Sequence, residues 1–235
     1  MEKPAWLKKL IGKPTTITYP DWYEDYLSSR RQFAVSAPLE DVELAVIDGE
    51  TTGLDIKQDR LISLGGLKVR RNVVLIGEQF EGYLRVPAVN YGDGGSVIIH
   101  GILPRSERYT YSSPEELLRK FLAYVGDSVI VGHHIGFDVS MINRQLAELG
   151  AGPLVNPVVD TATIARQLAP AGYWSPKDHY TLDSLARRYG VSLSDRHTAM
   201  GDAFITALLL LKLTARLRER RGRPLELADL QPSFT

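Results

Sequence analysis

Val42-Glu43-Leu44-Ala45-Val46-Ile47-Asp48-Gly49-Glu50 is the stretch on which the fold turns. Its β-branched and apolar residues predict a strand, and strand side chains alternate between faces with a period of two. Val42, Leu44, Val46, Asp48 and Glu50 therefore share one face, two acids following three apolar residues. The acids fall at the carboxyl end of the strand, where α/β sheets place their ligands. Adjacent carboxylates repel each other and resist desolvation. Taken alone, the pair is satisfied either by solvent at the strand end or by something positive held between the two side chains.

Two later helices repeat the anomaly. In the helix expected from Phe137, Asp138 shares a stripe with Ile142, Leu146 and Leu149; in the last helix, Asp202 shares one with Ile205, Leu209 and Leu213. These are core-facing spacings, and each acid stands near the amino end of its helix. Four inward carboxylates in one cleft would repel strongly at neutral pH. Divalent cations relieve that repulsion, and a ligand set of oxygens alone selects Mg²⁺ or Mn²⁺ over zinc. Spacing does not by itself bring the four together, so their convergence is an expectation. His197 lies five residues before Asp202, about 140° away on a continuous helix, which puts it in the first turn or the loop leading in. There it either caps the turn from the surface or leans over the cleft. In the cleft a helix N-terminus disfavours imidazolium and carboxylates favour it, a balance suited to a general base.

Outward from these elements, strand-like runs at 42–50, 60–70 and 73–85 with short connections predict an antiparallel meander. A glycine-rich loop, Tyr91-Gly92-Asp93-Gly94-Gly95, follows. Ser113-Pro114-Glu115-Glu116 starts a helix that stops at Gly126. A strand over 128–133, a helix over 137–149, a short strand over 158–160 and a helix over 161–168 come next. After a Gly/Pro loop over 170–180, helices are expected over 182–189 and 196–221. Strands first and alternating βα units afterwards predict an α/β fold, a mixed sheet with helices on both faces. The chain divides into an N-terminal helical arm (1–40), a body (41–222) and a C-terminal tail (223–235). Within the arm, Asp21-Trp22-Tyr23-Glu24-Asp25-Tyr26-Leu27 predicts a short helix with aromatics on one side; the arm either packs on the body or docks a partner. The basic run Lys212, Arg216, Arg218, Arg220, Arg221 and Arg223 either binds phosphates or forms a solvated helix end.

Composition narrows the function. Lys plus Arg is 28 and Asp plus Glu is 28 over 235 residues. A balanced charge argues against a bulk polyanion binder, which needs excess positive charge, but leaves room for an enzyme that grips a short piece of nucleic acid through metal ions. Without cysteine there is no disulfide, thiolate nucleophile or zinc–cysteine site, which fits a reducing compartment. No apolar run approaches the roughly 18 residues of a membrane span, and no continuous apolar stretch precedes Lys8 and Lys9 as a secretory signal requires. The expectation is a soluble, cytoplasmic protein with no membrane partner.

Asp48-Gly49-Glu50-Thr51-Thr52-Gly53-Leu54, Val131-Gly132-His133-His134-Ile135-Gly136-Phe137-Asp138 and His197-Thr198-Ala199-Met200-Gly201-Asp202-Ala203 resemble, in order and spacing, the three motifs of the DEDDh 3′–5′ exonucleases. Ile99-His100-Gly101-Ile102 and the pair Asp160-Thr161 leading into Ala165-Arg166 also fit. Within that family the pattern is most similar to the epsilon-type proofreading exonucleases of bacterial DNA polymerase III and their stand-alone relatives. The resemblance implies an RNase H-like fold with a five-stranded mixed sheet. It also implies two Mg²⁺ or Mn²⁺ ions and hydrolysis of a 3′ end to nucleoside 5′-monophosphates. Carried over, Asp48, Glu50, Asp138 and Asp202 hold the metals, Asp48 bridging, and His197 takes the proton from the attacking water. Thr51, Thr52, Gly53 and Leu54 lie under the terminal nucleotide, and Phe137 either lines that pocket or fills the core. Gly49 stands where a bulkier residue is usual, which loosens the strand by about 0.5–1 kcal/mol, and His134 stands where asparagine is common. Gln231-Pro232-Ser233-Phe234 only faintly resembles a sliding-clamp peptide.

The expected substrate is a single-stranded or frayed 3′ end, DNA favoured, with a polymerase or repair partner in view. The alternatives are an RNA-trimming exoribonuclease, distinguished at a 2′-hydroxyl whose reader the sequence does not locate, and a nucleic-acid-binding module without turnover.

Overall fold

Alternation in the first strand sorts the protein into two cores. The computed structural model describes residues 18–30, 34–87, 107–170 and 177–231. Strand β1 (Leu44–Thr51) pairs antiparallel with β2 (Leu61–Arg70), which pairs antiparallel with β3 (Val73–Leu84), as the meander required. On its other side β1 runs parallel to β5 (Val129–Gly132), and β5 parallel to β6 (Val158–Asp160). The implied five strands are six: β4 (Tyr111–Ser112) adds parallel to the end of β3, giving the order β4-β3-β2-β1-β5-β6. A two-residue strand has no periodicity to read.

One face of the sheet, with Leu44, Val46, Val69, Val129 and Val131, packs on α4 (Thr161–Gln167), α5 (Leu182–Tyr189) and α6 (Ala199–Arg221). The other, with Ala45, Ile47, Ile62, Leu64 and Ile130, packs on α2 (Pro114–Val125) and α3 (Gly136–Glu148). Asp48 and Glu50 continue the first set and Gly49 the second. Side-chain caps and a glycine stop bound the helices, the cap at Ser113 as expected. Ser113 accepts from the Glu116 N–H, Thr181 from Ser184, and Gly190 closes α5 in the left-handed region at φ 66°. The last helix begins three residues later than its expected start at Arg196, because Thr198 caps it by accepting from the Gly201 N–H.

The flanking segments join these cores. Helix α1 (Asp21–Ser28) buries Tyr23 and Tyr26 against the second core, and the Tyr23 hydroxyl donates to the Pro153 carbonyl at 2.6 Å. Past α6, Leu225, Leu227 and Leu230 are buried in the first core, and Arg223 grips Asp229 with two bonds of 2.8 and 2.9 Å. The basic run is partly engaged by the chain itself, at its surface: Arg220 donates to the Gln167 carbonyl and Arg221 pairs with Asp229. The arm before residue 18, the glycine-rich loop at 91–95, the Ile99–Ile102 stretch and Pro232 to Phe234 lie outside the described residues.

Candidate active site

The site forms where β1 ends under the amino end of α6. Asp48 sits opposite Gly65 in the β1–β2 register. A Cβ on Gly65 would lie 2.4 Å from the Ala199 carbonyl carbon, so only glycine lets α6 settle over this part of the sheet. That approach carries Asp202 to the β1 acids: ligand oxygens of Asp48, Glu50 and Asp202 all lie within 4.8 Å of one another. Asp202 is buried, whereas Asp48 and Glu50 are half-buried.

Asp138 reaches the site from the opposite face and is not in that group of three. Its Oδ1 lies 3.0 Å from where a Cβ on Gly49 would be. The space vacated by the missing side chain is thus occupied by a carboxylate, and Gly49 fits here for packing rather than as a loose point in the strand. Asp138 still acts electrostatically on Asp48.

Metal-free, these acids are hard to ionise. Burial, then the Asp138, Asp202 and Glu50 charges, drive the Asp48 carboxyl well above the ordinary carboxylate range, against Arg196. Burial, then Asp202, lifts Glu50 to about 7. Burial lifts Asp138 to about 7, against the main-chain N–H groups of Asp138 itself and Gly49. Burial raises Asp202 too, opposed by Arg196 and by the His197 N–H. A carboxylate whose folded pKa is raised contributes stability that is full below its unfolded pKa and is lost as pH rises through the folded one. In EDTA the melting temperature is therefore expected to fall between about pH 4 and about pH 7, the window set by Asp138 and Glu50 together, and not to recover above it. Saturating Mg²⁺ should flatten that slope by replacing protons with a cation. Thermal melts across this range with and without Mg²⁺ check it; a metal-free melting temperature that rises through the window contradicts it.

The donor set fits a divalent cation. All three grouped ligands are carboxylates. Asp202 Oδ1 is buried with no hydrogen-bond partner, an orphan a native protein rarely keeps without a use. Its other oxygen, Oδ2, takes the Arg196 guanidinium and the His197 N–H at 3.3 Å.

His197 stands exposed in the turn before α6, with φ 68°, and Asp195 two residues earlier has φ 60°. Its Nδ1 is 3.4 Å from Arg196 NH1. Arginine only donates, so that contact uses Nδ1 as acceptor and leaves the proton on Nε2.

The segment after β1 is braced from below. Thr51 donates to the Gly53 carbonyl at 2.6 Å. Buried Thr52 donates to Asp59 at 2.8 Å and accepts from the Arg60 N–H at 2.9 Å. A Cβ on Gly53 would lie 2.5 Å from that same Asp59 carboxylate. Arg144 of α3 holds the Ile56 and Asp59 carbonyls, and Arg60 pairs with Glu148 at 2.8 Å. Leu54, 85% exposed, projects from this braced loop. Phe137 is half-buried and belongs to neither apolar core.

His133 and Asp160 work as scaffolding. His133 Nε2 faces the Tyr180 carbonyl at 2.9 Å and so donates, leaving Nδ1 to the Thr161 hydroxyl at 2.8 Å; burial lowers this histidine to about 4. Asp160 caps α4 and accepts from the His134 N–H. Sequence spacing missed Asp183 and Arg196: Arg196 Nε bonds Asp183 at 2.6 Å while its NH1 holds Asp202. An arginine beside His197 was visible, but nothing in the sequence ties it to an acid thirteen residues back.

Fold and site together define a class: a mixed α/β sheet with a carboxylate cluster suited to divalent cations at the carboxyl end of its first strand. The family model for exonucleases of the RNase T type matches residues 45–210. The PolC-type DNA polymerase III of Staphylococcus aureus is 30% identical over 183 residues, covering 77% of this chain and 12% of that much longer protein. E. coli exonuclease I bound to a dT13 oligonucleotide superposes with a TM-score of 0.65 at 22% identity, over 77% of this chain and 42% of that one. The zinc-bound form of the E. coli exonuclease I–ssDNA complex gives 0.64 at 23% identity, over 77% of this chain and 41% of that one. The chain belongs to the DEDDh 3′–5′ exonuclease family.

Proposed function

We propose that this protein is a metal-dependent 3′–5′ exonuclease that trims single-stranded or frayed DNA 3′ ends to nucleoside 5′-monophosphates in the cytoplasm. The observation that carries it is the convergence of Asp48, Glu50 and Asp202 within 4.8 Å beside the exposed His197. Asp48, Glu50 and Asp202 would hold the ions, Asp48 shared between two, with Asp138 serving the second. Two bound Mg²⁺ or Mn²⁺ ions supply Lewis acidity and an activated water. The chain's own residues do the rest. The main chain of Thr51 to Gly53 receives the terminal 3′-hydroxyl, and Leu54 packs on the terminal base. Phe137 lines the pocket. His197 takes the water proton at Nδ1, its unprotonated nitrogen, once the ring turns that atom away from Arg196. The water oxygen bonds to phosphorus, and the 3′-oxygen of the preceding nucleotide leaves.

DNA is favoured because the similar proteins are a DNA polymerase III of PolC type and an exonuclease bound to dT13. The PolC-type likeness also supports a polymerase or repair setting. The test is a panel of end-labelled DNA and RNA, single- and double-stranded, with EDTA, Mg²⁺ or Mn²⁺. Mononucleotides released from unblocked DNA 3′ ends, and only with metal, are expected. Full activity in EDTA, or rapid cutting of circular single strands, overturns the reading; preference for RNA ends moves it to an exoribonuclease.

A further inference from the structure

We propose that Asp183 and Arg196 form a positioning arm for this site: Asp183 on α5 fixes the Arg196 guanidinium, which pins one oxygen of Asp202 and so presents the other to a divalent cation. The proposal rests on the metal-dependent reading above.

The arm is a continuous chain of contacts. Asp183 Oδ1 takes Arg196 Nε at 2.6 Å, while its Oδ2 lies 3.3 Å from Arg187 NH2 one turn along α5. The anchoring acid therefore belongs to a formed helix with a Thr181 cap. From there the guanidinium crosses to α6 and bonds Asp202 Oδ2 through NH1. Asp202 is thus divided: Oδ2 carries Arg196 and the His197 N–H, and Oδ1 is buried with no partner. The terminal torsion of an aspartate is broad, so nothing intrinsic fixes the plane of the carboxylate toward the cluster. Arg196, with the His197 N–H, fixes it.

Two observations separate this arm from an ordinary surface ion pair, which contributes little. The side chains of Arg196 and Asp202 are 25% and 6% exposed, so the contact is largely out of water. The arm also spans an unusual turn: Asp195 and His197, either side of Arg196, both have positive φ. Non-glycine residues hold that region at a cost and keep it only where surrounding contacts over-determine it. Arg196 to α5 and His197 N–H to Asp202 are two such contacts. A lysine could not replace the arginine, because serving Asp183 and Asp202 together takes a planar fork with donors at both ends.

A counter-charge role makes the opposite forecast. If Arg196 merely neutralised the empty cluster it would compete with cations, and removing it would tighten metal binding. If it positions Asp202, removing it weakens metal binding, by about 10–100-fold for a partner that orients a ligand.

The experiment is calorimetric titration of Mn²⁺, without nucleic acid, into the 235-residue chain and its Arg196→Gln, Arg196→Lys and Asp183→Asn variants. Melts in EDTA confirm that each is folded. Weaker binding is expected for all three, including Asp183→Asn, which touches no proposed ligand and whose half-exposed site makes it the safest to fold. Unchanged or tighter binding in Asp183→Asn or Arg196→Gln, or full rescue by Arg196→Lys, overturns the arm while leaving the exonuclease reading intact. A parental protein that binds no Mn²⁺ overturns both.

Discussion

Asp48→Asn should bind Mn²⁺ far more weakly, turn over more than about 10³-fold slower, and yet melt higher than the parental protein in EDTA at about pH 8. Asp48 is the acid on which the others act: Asp138, Asp202 and Glu50 all raise its carboxyl, on top of burial. Asparagine keeps the shape and removes the charge, so the metal-free fold loses a repelling group without gaining a cavity. With metal, the same change removes the proposed shared ligand. Metal ions supply several kcal/mol of transition-state stabilisation, and each 1.4 kcal/mol is tenfold in rate, which sets the size of the loss. The opposed signs make the prediction sharp, because a merely destabilising substitution lowers activity and melting temperature together. Three measurements on one preparation decide it: a melt in EDTA, a Mn²⁺ titration and single-turnover hydrolysis of an end-labelled oligonucleotide. A variant that melts lower in EDTA, or keeps parental turnover, removes Asp48 from the role given it.

Much of this site was legible in sequence because its parts obey local rules. Period two placed Asp48 and Glu50 on the α6 face, and helical stripes turned Asp138 and Asp202 inward. The cap at Ser113 and the stop at Gly126 marked α2. What stayed hidden depends on tertiary approach. Gly65 reads as a strand glycine until the α6 backbone is found against it, and Gly49 reads as a weakness until Asp138 is found beside it. The late start of α6 follows from a left-handed turn that propensity does not foresee at aspartate and histidine. Arg196 and Asp183 each look like solvated charges; only the packing of α5 beside α6 makes them one unit. Four acids were expected to converge. Three form the close group, and the fourth approaches from the opposite face of β1, a distinction that inward-facing stripes cannot make.

Replacing His197 should separate proton transfer from metal binding. Its side chain is exposed, and the only hydrogen bond it gives the proposed ligands comes from its main chain, the N–H to Asp202. Any substitution that keeps the turn therefore keeps the acid cluster. The turn is the difficulty, since φ is 68° and alanine tolerates that region poorly. Asparagine enters it more readily, so His197→Asn is the better variant and His197→Ala its companion. Both should bind Mn²⁺ within a few-fold of the parental protein and turn over roughly 10²–10⁴-fold slower, the usual worth of a general base. Arg196→Gln should behave differently, losing metal affinity as well as rate, because it acts on Asp202 rather than on the water. His179, whose carbonyl serves Arg188, is the control and should matter far less. Single-turnover kinetics at saturating Mn²⁺ read the chemical step directly, with calorimetry alongside. Parental rates in both His197 variants would place the base elsewhere; loss of metal binding in His197→Asn would mean that the turn, rather than the imidazole, is what the site requires.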